Sequence, residues 1–336
     1  MVDHVLIVGL GSIGKRHLKA LKKLRPNCRV TVVSRTSKHT QNKFVDFCAK
    51  SIDEAIFKNP INQKISCALI CTPATEHLDN AIQLCENGIH SLIEKPISND
   101  RESSTDLFKL DRLIRIIKDK KIKTLTGYAL RHDPAAKKFK KLIDKDAIGE
   151  VFHVYSKCSS YLPNWRPNQD YRKSVSANKS LGGGVLLELS HEIDYLMWFF
   201  GDLESVYAEL GASDILNLDV EDSADLILKS KSGISISLHL DFLNKQTERY
   251  VKAFGSKGQI EWNVSKQSVS LQAEEVFEFT HCEDYNYNYE QQLLHFFKCI
   301  EEGSSTVVPI EDAIKRLEVV ELSRQSNKNE SKIFFK

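Results

Sequence analysis

Near its amino terminus the chain reads Val5-Leu6-Ile7-Val8-Gly9-Leu10-Gly11-Ser12-Ile13-Gly14. The first four residues form a short apolar run typical of a buried strand, and residues 13–24 have the apolar spacing of a helix. The glycines between them fit the pattern G-x-G-x-x-G, which allows a tight turn and a close approach of the backbone to a pyrophosphate. We therefore predict a dinucleotide site formed by Gly9, Gly11, Ser12, Ile13 and Gly14.

The alternation of apolar strands and helices continues to about residue 128. Further apolar runs lie at 30–33, 68–70, 91–93 and 124–126, with helix-like stretches between them. Short continuous apolar strands joined by helices are typical of a parallel sheet that is covered on both faces. The sequence predicts an α/β fold that begins with a doubly wound Rossmann domain over residues 1–128.

From about residue 150 the pattern changes to a period of two. Residues 233–242 alternate apolar and polar side chains, and similar segments separated by turns lie at 151–158, 223–230, 248–254, 259–263 and 268–272. This predicts a second α/β domain over 129–336 with a large, mostly antiparallel open sheet. Helices are predicted near 184–200, 287–302 and 311–323. The polar tail at 326–330 is predicted to be loose, although residues 333–335 could add a short strand.

The composition excludes several classes of protein. The 336 residues include 47 Lys and Arg against 45 Asp and Glu, and a net charge of +2 is too balanced for a main partner that is nucleic acid or an anionic membrane. No apolar run reaches the roughly 18 to 20 residues of a membrane span, and no secretory signal is visible. The eight cysteines form no C-x-x-C pair, so buried free thiols are expected. We expect a cytoplasmic protein.

The end of the second predicted strand bears on the choice of cofactor. Roughly 20 residues past the last glycine, an NAD site usually has an Asp or Glu for the ribose 2′-hydroxyl. This chain has Ser34 and Arg35 there. A hydroxyl and a guanidinium can bind a 2′-phosphate, which a carboxylate would repel. The sequence favours NADP over NAD, with acceptance of both as the alternative. Arg16 and His17 are close enough to the glycine turn to help bind phosphates.

The tripeptide Glu94-Lys95-Pro96 directly follows the apolar run 91–93. In a doubly wound sheet this is the carboxyl edge, where ligands bind. Lys95 could hold a substrate hydroxyl there and stabilise negative charge on its oxygen as hydride leaves. An ordinary surface turn is the alternative.

A glycine triplet, Gly182-Gly183-Gly184, leads into a second group of candidate residues. On the helix predicted there, Glu188, His191 and Tyr195 share one face. Histidine exchanges a proton near neutral pH, and a carboxylate one turn away can orient it. A structural histidine is the alternative. A metal site at Glu188, His191 and Asp194 is not expected, because no independent further ligand is evident.

The segment 161–172, which precedes the triplet, is predicted to be a substrate loop. Trp165 and Tyr171 could stack on a sugar face, while Arg166 and Arg172 could pair with a carboxylate or phosphate. If the arginines line the pocket, the substrate is a sugar acid or a nucleotide-linked sugar. The alternative is a loop that only packs against the cofactor domain or a neighbouring subunit.

Together these motifs resemble the glucose–fructose oxidoreductase and inositol dehydrogenase (Gfo/Idh/MocA) family. The resemblance extends from residue 9 to residue 258. It rests on the glycine motif, Thr72-Pro73 followed by His77, Glu94-Lys95-Pro96, Gly149-Glu150-Val151, the glycine triplet with His191 and Asp194, and Gly255-Ser256-Lys257-Gly258.

The resemblance implies a Rossmann domain followed by an α/β domain whose open sheet supports a homodimer or homotetramer. It also implies that Lys95 and His191 are catalytic. The residues that it places at the cofactor, besides the glycine motif, are Thr72, Pro73, His77, Glu94 and Lys95.

Two departures from the family pattern affect the site. Many members have an Asp four residues before the histidine, where this chain has Leu187, and Glu188 stands three residues before it. We predict that Glu188 orients His191 or a substrate hydroxyl. At the segment 127–132 relatives often have an Asn-rich stretch. Tyr128 and Arg131 of this segment are nevertheless predicted to contact the substrate, as is Asp194.

The sequence therefore predicts an NAD(P)-dependent oxidoreductase that transfers a hydride between the nicotinamide and a secondary alcohol or ketone. The substrate class is a sugar, sugar acid, nucleotide-sugar or cyclitol. One alternative is a redox-neutral epimerase, lyase or hydrolase that keeps NAD bound. The other is a dinucleotide-sensing regulator without turnover.

Overall fold

The computed structural model describes residues 1–34, 42–99, 104–272, 274–278 and 286–336. They form two compact units. One comprises Met1–Ala129 with Asp284–Lys315, and the other comprises Leu130–Glu283 with Arg316–Lys336. The sequence predicted one boundary, after residue 128, whereas the first unit also takes in a segment from the last quarter of the chain.

The first unit contains a six-stranded parallel sheet. Its elements up to residue 126 are β1 His4–Val8, α1 Ser12–Leu24, β2 Arg29–Val33, β3 Phe47–Ala49, α2 Ile52–Phe57, β4 Cys67–Ile70, α3 His77–Glu86, β5 His90–Ile93, α4 Ser104–Lys120 and β6 Thr124–Thr126. The strand order is β3-β2-β1-β4-β5-β6, and β1 is buried along its whole length. A central strand that is apolar throughout is expected where helices cover both faces. The predicted doubly wound sheet is confirmed.

The elements that follow belong mainly to the second unit. In chain order they are α5 Pro134–Asp144, β7 Val151–Ser159, α6 Val185–Glu188, α7 Ser190–Phe200, β8 Leu203–Gly211, β9 Ser223–Ser230, β10 Ser235–Asp241, β11 Glu248–Gly255, β12 Gly258–Asn263, β13 Ser268–Leu271, β14 Glu274–Glu278, α8 Tyr287–Glu302, α9 Ile310–Asn329 and β15 Ile333–Phe334. Helix α8 and the first residues of α9 lie in the first unit.

The second unit contains a nine-stranded sheet with the order β14-β13-β12-β11-β7-β10-β9-β8-β15. The pair β7–β10 is parallel and the other described pairs are antiparallel, so the mostly antiparallel prediction is confirmed. One face is buried: Tyr195 and Phe199 of α7 pack on Trp262 of β12. The opposite face exposes apolar side chains such as Tyr155 and Ile227. The alternation read from the sequence separates these two faces.

The carboxyl-terminal tail differs from the prediction. Helix α9 continues to Asn329 instead of giving way to a loose segment at 326–330. Its last turn is held by β8, a strand that the sequence analysis did not identify. Ala208 N donates to Ser326 Oγ at 3.0 Å, and Leu210 N donates to Asn327 Oδ1 at 2.8 Å. Polar side chains in the tail therefore satisfy backbone donors of β8.

The cysteines within the described residues are free thiols, and all of them except the half-buried Cys48 are buried. Cys282 lies outside the described residues. Burial raises the pKa of Cys71 well above its usual value, so this thiol behaves as a small apolar side chain. None of the helices described is long and apolar enough to cross a membrane.

Candidate active site

Each glycine in the turn between β1 and α1 is accommodated for a different structural reason. Gly9 has a φ of +90°, and a Cβ there would lie 2.9 Å from the Cys71 carbonyl oxygen. A Cβ at Gly14 would lie 2.1 Å from the Gly9 carbonyl oxygen, so α1 can approach the turn only without a side chain. A Cβ at Gly11 would meet nothing within 4 Å. The first and last glycines are needed for packing, and the middle one leaves open space beside the helix.

The amino terminus of α1 fits the pyrophosphate of a dinucleotide. Its cap is Gly11, which offers no side-chain cap, and the first turn contains no acidic residue. The first backbone N–H groups of a helix lack intrahelical partners, and the helix dipole favours an anion beside them. Ser12, Ile13 and Gly14 supply these groups. An open glycine beside an uncapped helix terminus is what a phosphate cradle requires.

Ser34 follows β2 at the same edge of the sheet, where its N–H donates to the Ala49 carbonyl oxygen at 3.2 Å. Its side chain is half-buried. Arg35, the second residue of the NADP prediction, lies outside the described residues.

Glu94-Lys95-Pro96 directly follows β5, and Thr72-Pro73 follows β4. Because the carboxyl ends of parallel strands meet at one edge, both segments lie on the same edge of the sheet as the glycine turn. Glu94 N donates to the Ile70 carbonyl oxygen at 3.0 Å, which extends the β4–β5 pairing by one residue. Thr72 accepts a hydrogen bond from Asn80 Nδ2 at 3.1 Å. The two segments are held in place by their neighbours, as a binding edge requires.

His77, which is predicted to contact the cofactor, is buried between the two edge segments. The residue is 1% exposed, its Nδ1 lies 2.7 Å from the Pro96 carbonyl oxygen, and its Nε2 lies 2.8 Å from the Thr72 carbonyl oxygen. Burial lowers the pKa of His77, while the two carbonyl contacts favour the protonated ring. The imidazole joins the two edge segments from within the protein.

Glu94 and His17, which are predicted to lie near the cofactor, are also buried. Glu94 is 6% exposed and His17 is fully buried. His17 Nε2 lies 2.7 Å from Glu94 Oε1, so these side chains bind each other. Sequence reasoning missed this pair because no local motif relates residues so far apart.

The glycine triplet of the second unit is explained by close packing. Gly182 has a φ of +82°, and a Cβ at Gly183 would lie 2.4 Å from the Val175 carbonyl oxygen. Gly184 has a φ of +108°, and a Cβ there would lie 2.4 Å from Glu221 Oε1. The triplet lets α6 begin directly beneath the Glu221 carboxylate.

The predicted continuous helix at 184–200 is wrong. It is two helices, α6 and α7, separated at Leu189, whose φ of −96° and ψ of 23° depart from helical values. Glu188 ends α6 and His191 is the second residue of α7, so the one-face argument for them fails. Both side chains are half-buried. Tyr195, predicted on the same face, is fully buried in the core.

Arg131 and Asp194, both predicted to contact the substrate, bind each other. Arg131 Nε and one terminal nitrogen donate to the two carboxylate oxygens of Asp194 at 2.7 and 2.8 Å. Arg316 Nε donates to the same carboxylate at 3.0 Å, and the Arg131 guanidinium lies 4.9 Å from the Trp198 ring centre. Asp194 is 1% exposed. This buried cluster attaches α7, which carries His191, to the part of α9 that begins at Arg316 and belongs to the second unit. Arg316 was missed because its partner is far away in sequence.

The loop at 161–172 divides into anchored and exposed side chains. Trp165 Nε1 donates to Ser160 Oγ at 2.9 Å, and the ring packs edge-on against Phe242. Tyr171 donates its hydroxyl proton to the Leu216 carbonyl oxygen at 3.1 Å. Arg166 and Arg172 are exposed, and Arg172 is paired with Asp170. The aromatic residues hold the loop in place, and Arg166 and the Asp170-paired Arg172 are the cations that it presents to solvent.

Tyr128, another predicted substrate residue, is 2% exposed and belongs to the first unit. The first unit therefore brings together the glycine turn, Ser34, Thr72-Pro73 and Lys95. The second unit carries Glu188, His191 and the Asp194 cluster. Across the described ranges, no group of three or more His, Cys, Asp or Glu side chains is arranged to hold a metal ion.

Comparison with known proteins matches the chain to two family models. A model described as oxidoreductase family, NAD-binding Rossmann fold, matches residues 4–122, and one described as oxidoreductase family, C-terminal alpha/beta domain, matches residues 140–334. The myo-inositol 2-dehydrogenase of Thermotoga maritima is 25% identical over 324 residues, covering 91% of this chain and 90% of the relative.

Two solved structures have the same fold. Levoglucosan dehydrogenase in complex with NADH and levoglucosan has a TM-score of 0.85 at 20% identity, with 98% of each chain covered. The WlbA dehydrogenase of Bordetella pertussis in complex with NADH and UDP-GlcNAcA has a TM-score of 0.81 at 18% identity, with 99% of this chain and 97% of the other covered. Because the two family models together match nearly the whole chain, the protein belongs to the Gfo/Idh/MocA family of oxidoreductases and contains its NAD-binding Rossmann domain.

Proposed function

We propose that this protein is an NAD(P)-dependent dehydrogenase or reductase that acts on a secondary alcohol or ketone of a carbohydrate-type substrate. The observation that carries the proposal is the position of Lys95 at the same sheet edge as the open, uncapped glycine turn. A nicotinamide dinucleotide bound at this edge supplies the hydride acceptor or donor.

In this proposal each candidate residue has one task. The Lys95 ammonium holds the substrate hydroxyl oxygen and stabilises negative charge on it. His191 accepts the hydroxyl proton in the oxidation direction and returns it in the reduction direction. Glu188 orients His191 or a neighbouring substrate hydroxyl. The backbone N–H groups of Ser12, Ile13 and Gly14 hold the pyrophosphate.

The proposed substrates are polyhydroxylated rings. The relatives named above act on myo-inositol or levoglucosan, or bind UDP-GlcNAcA. Of the two exposed arginines in the loop, Arg172 is already paired with Asp170. The guanidinium of Arg166 is therefore the group proposed to bind an acidic substrate, which favours an anionic member of this class. The test is to incubate the purified protein with NAD⁺ or NADP⁺ and one of these three compounds, and to follow the absorbance of the reduced nicotinamide. If the protein turns over none of these compounds and no related sugar acid, the proposal is contradicted.

We further propose a preference for NADP, based on Ser34, which follows β2, and on Arg35, which comes next in the sequence. A charge-assisted hydrogen bond to the 2′-phosphate should tighten binding of NADPH over NADH by about 10-fold or more. Fluorescence titrations with NADPH and NADH at matched ionic strength measure this ratio, and Arg35→Ala should abolish it. Tighter binding of NADH by the wild-type protein would show that the preference is wrong while leaving the proposed hydride transfer intact.

The open face of the nine-stranded sheet is proposed to bind a second copy of the chain. Tyr207, Ile227, Ser237 and Tyr155 lie opposite one another across β8, β9, β10 and β7. Tyr207, Ile227 and Tyr155 are 41%, 51% and 49% exposed, and a depression of about 150 Å³ lies beside Ser237. An exposed apolar row beside a depression is typical of an interface between copies.

This surface predicts a homodimer or homotetramer that a single charge should disrupt. We expect light scattering coupled to size exclusion to give an oligomeric mass for the wild-type protein and the monomer mass for Ile227→Glu. Phe57→Glu, an equally drastic change at a 69% exposed side chain of the first unit, is the matched control and should leave the mass unchanged. A monomeric wild-type protein would contradict the proposed interface.

A further inference from the structure

Two buried histidines hold the Glu94-Lys95-Pro96 segment. His77 contacts the Pro96 carbonyl oxygen through Nδ1, and His17 contacts the Glu94 carboxylate through Nε2. The first histidine begins α3 and the second lies in the second turn of α1. Lys95 therefore stands between two residues that are each fixed from inside the first unit.

The hydrogen bond between His17 and Glu94 has a defined direction. A carboxylate can only accept, so His17 Nε2 donates to Glu94 Oε1 over the 2.7 Å that separates them. His17 Nδ1 is buried and has no hydrogen-bond partner among the described residues. Among the described residues, the His17 ring thus makes one hydrogen bond, and its partner is Glu94, the residue next to Lys95. A buried hydrogen bond to a charged group is stronger and more directional than a neutral one.

The Glu94 carboxylate has little room to move. A Cβ on Gly127 would lie 2.7 Å from Glu94 Oε2, so the absence of a side chain at this position accommodates the carboxylate. On the other side of the pair, the Tyr289 ring of α8 meets the His17 ring edge-on, with centroids 5.5 Å apart. The Glu94 carboxylate is therefore confined by His17 of α1 and by the segment at Gly127, and His17 in turn packs against Tyr289 of α8.

We propose that His17 is a positioning residue for Lys95, acting through its hydrogen bond to Glu94. This inference depends on the role of Lys95 given under Proposed function. Because α1 also presents the phosphate cradle at its first turn, one helix supports both the cofactor and the lysine. Loss of the hydrogen bond frees the Glu94 side chain and displaces the Lys95 backbone, and a misplacement of about 1 Å can cost about 100-fold in rate.

The test compares His17→Phe, which fills the space but cannot donate, with His17→Gln, whose amide nitrogen can. His4→Phe is the matched control, because His4 is also fully buried in the first unit, with Nε2 2.8 Å from Thr31 Oγ1 and Nδ1 2.8 Å from the Gln63 carbonyl oxygen. Each variant is measured for kcat, for cofactor affinity by fluorescence and for melting temperature. Hydrogen–deuterium exchange of the peptide covering 94–98 in the cofactor-free protein gives a measure independent of activity.

We expect His17→Phe to lower kcat by about 10- to 100-fold and to accelerate exchange at 94–98, with the cofactor affinity retained. His17→Gln should keep most of the wild-type kcat and most of the protection from exchange at 94–98. His4→Phe should lower the melting temperature without changing kcat. A folded His17→Phe with wild-type kcat, or an equal loss in His17→Gln, overturns the inference. If His17→Phe does not fold, Gly127→Ala decides, since its Cβ displaces the carboxylate directly; unchanged kcat and exchange in that variant overturn the inference.

The variant Lys95→Met separates this inference from the proposed function. If Lys95→Met keeps full activity, the proposed role of Lys95 is wrong, and the inference is wrong with it. If Lys95→Met is inactive while a folded His17→Phe is fully active, only the positioning role of His17 is wrong.

Discussion

Replacing Lys95 with methionine is expected to lower kcat by about 1,000-fold. The methionine keeps the length and the apolar stem of the side chain but removes the charge that stabilises the substrate oxygen. Because the phosphate cradle at α1 is untouched, the affinity for the reduced cofactor should stay close to that of the wild-type protein. Steady-state kinetics together with a fluorescence titration measure the two effects separately.

Lys123→Met is the matched control for this variant. Lys123 is also half-buried in the first unit, but it directly precedes β6 and therefore lies at the amino end of the parallel strands. The same chemical change should leave kcat unchanged there. Equal losses in the two variants, or full activity of Lys95→Met, would show that Lys95 has no special part in the reaction.

Asp194→Asn is expected to lower the free energy of unfolding by about 3–5 kcal/mol. The change keeps the shape of the side chain but removes the negative charge that Arg131 and Arg316, which are 6% and 4% exposed, share. Buried guanidinium groups remain charged at any accessible pH, so they cannot escape the desolvation cost by losing a proton. Urea unfolding of the purified variant measures the loss.

The ion pair Lys140–Asp144 on α5 provides the control for Asp194→Asn. Asp144 is 55% exposed, and its removal in Asp144→Asn should cost less than about 1 kcal/mol because water screens the pair. The sequence-based prediction that Asp194 contacts the substrate leads to a different expectation. If that prediction is right, Asp194→Asn should raise KM and leave the free energy of unfolding unchanged. Unaltered stability of Asp194→Asn, together with a raised KM, would therefore support that prediction.

Local patterns in the sequence were enough to predict most strands of both sheets, though not β3, β8 or β14, and the sheet edge that carries the candidate site. The period of two separates the buried Trp262 face of the second sheet from the exposed Tyr155 face. The turn at 9–14 predicts where the helix begins. These features depend on residues a few positions apart, and such spacing is what sequence patterns report.

The features that the sequence did not reveal depend on contacts between distant residues. The break at Leu189 separates Glu188 from His191, although the apolar spacing of 184–200 suits one helix. The arginine that completes the Asp194 cluster comes from α9, and the histidine that binds Glu94 comes from α1. Since side chains of this kind are usually found on surfaces, their burial can be recognised only when the partners are brought together by the fold.

The central claim is net hydride transfer, and the most direct measurement uses a substrate deuterated at its carbinol carbon. The protein is incubated with oxidised cofactor and deuterated myo-inositol, levoglucosan or UDP-GlcNAcA, and the cofactor and sugar products are analysed by mass spectrometry. We predict deuterium in the reduced nicotinamide in equal amount to the ketone product. An altered sugar formed without accumulation of reduced cofactor would contradict this account and support the redox-neutral alternative.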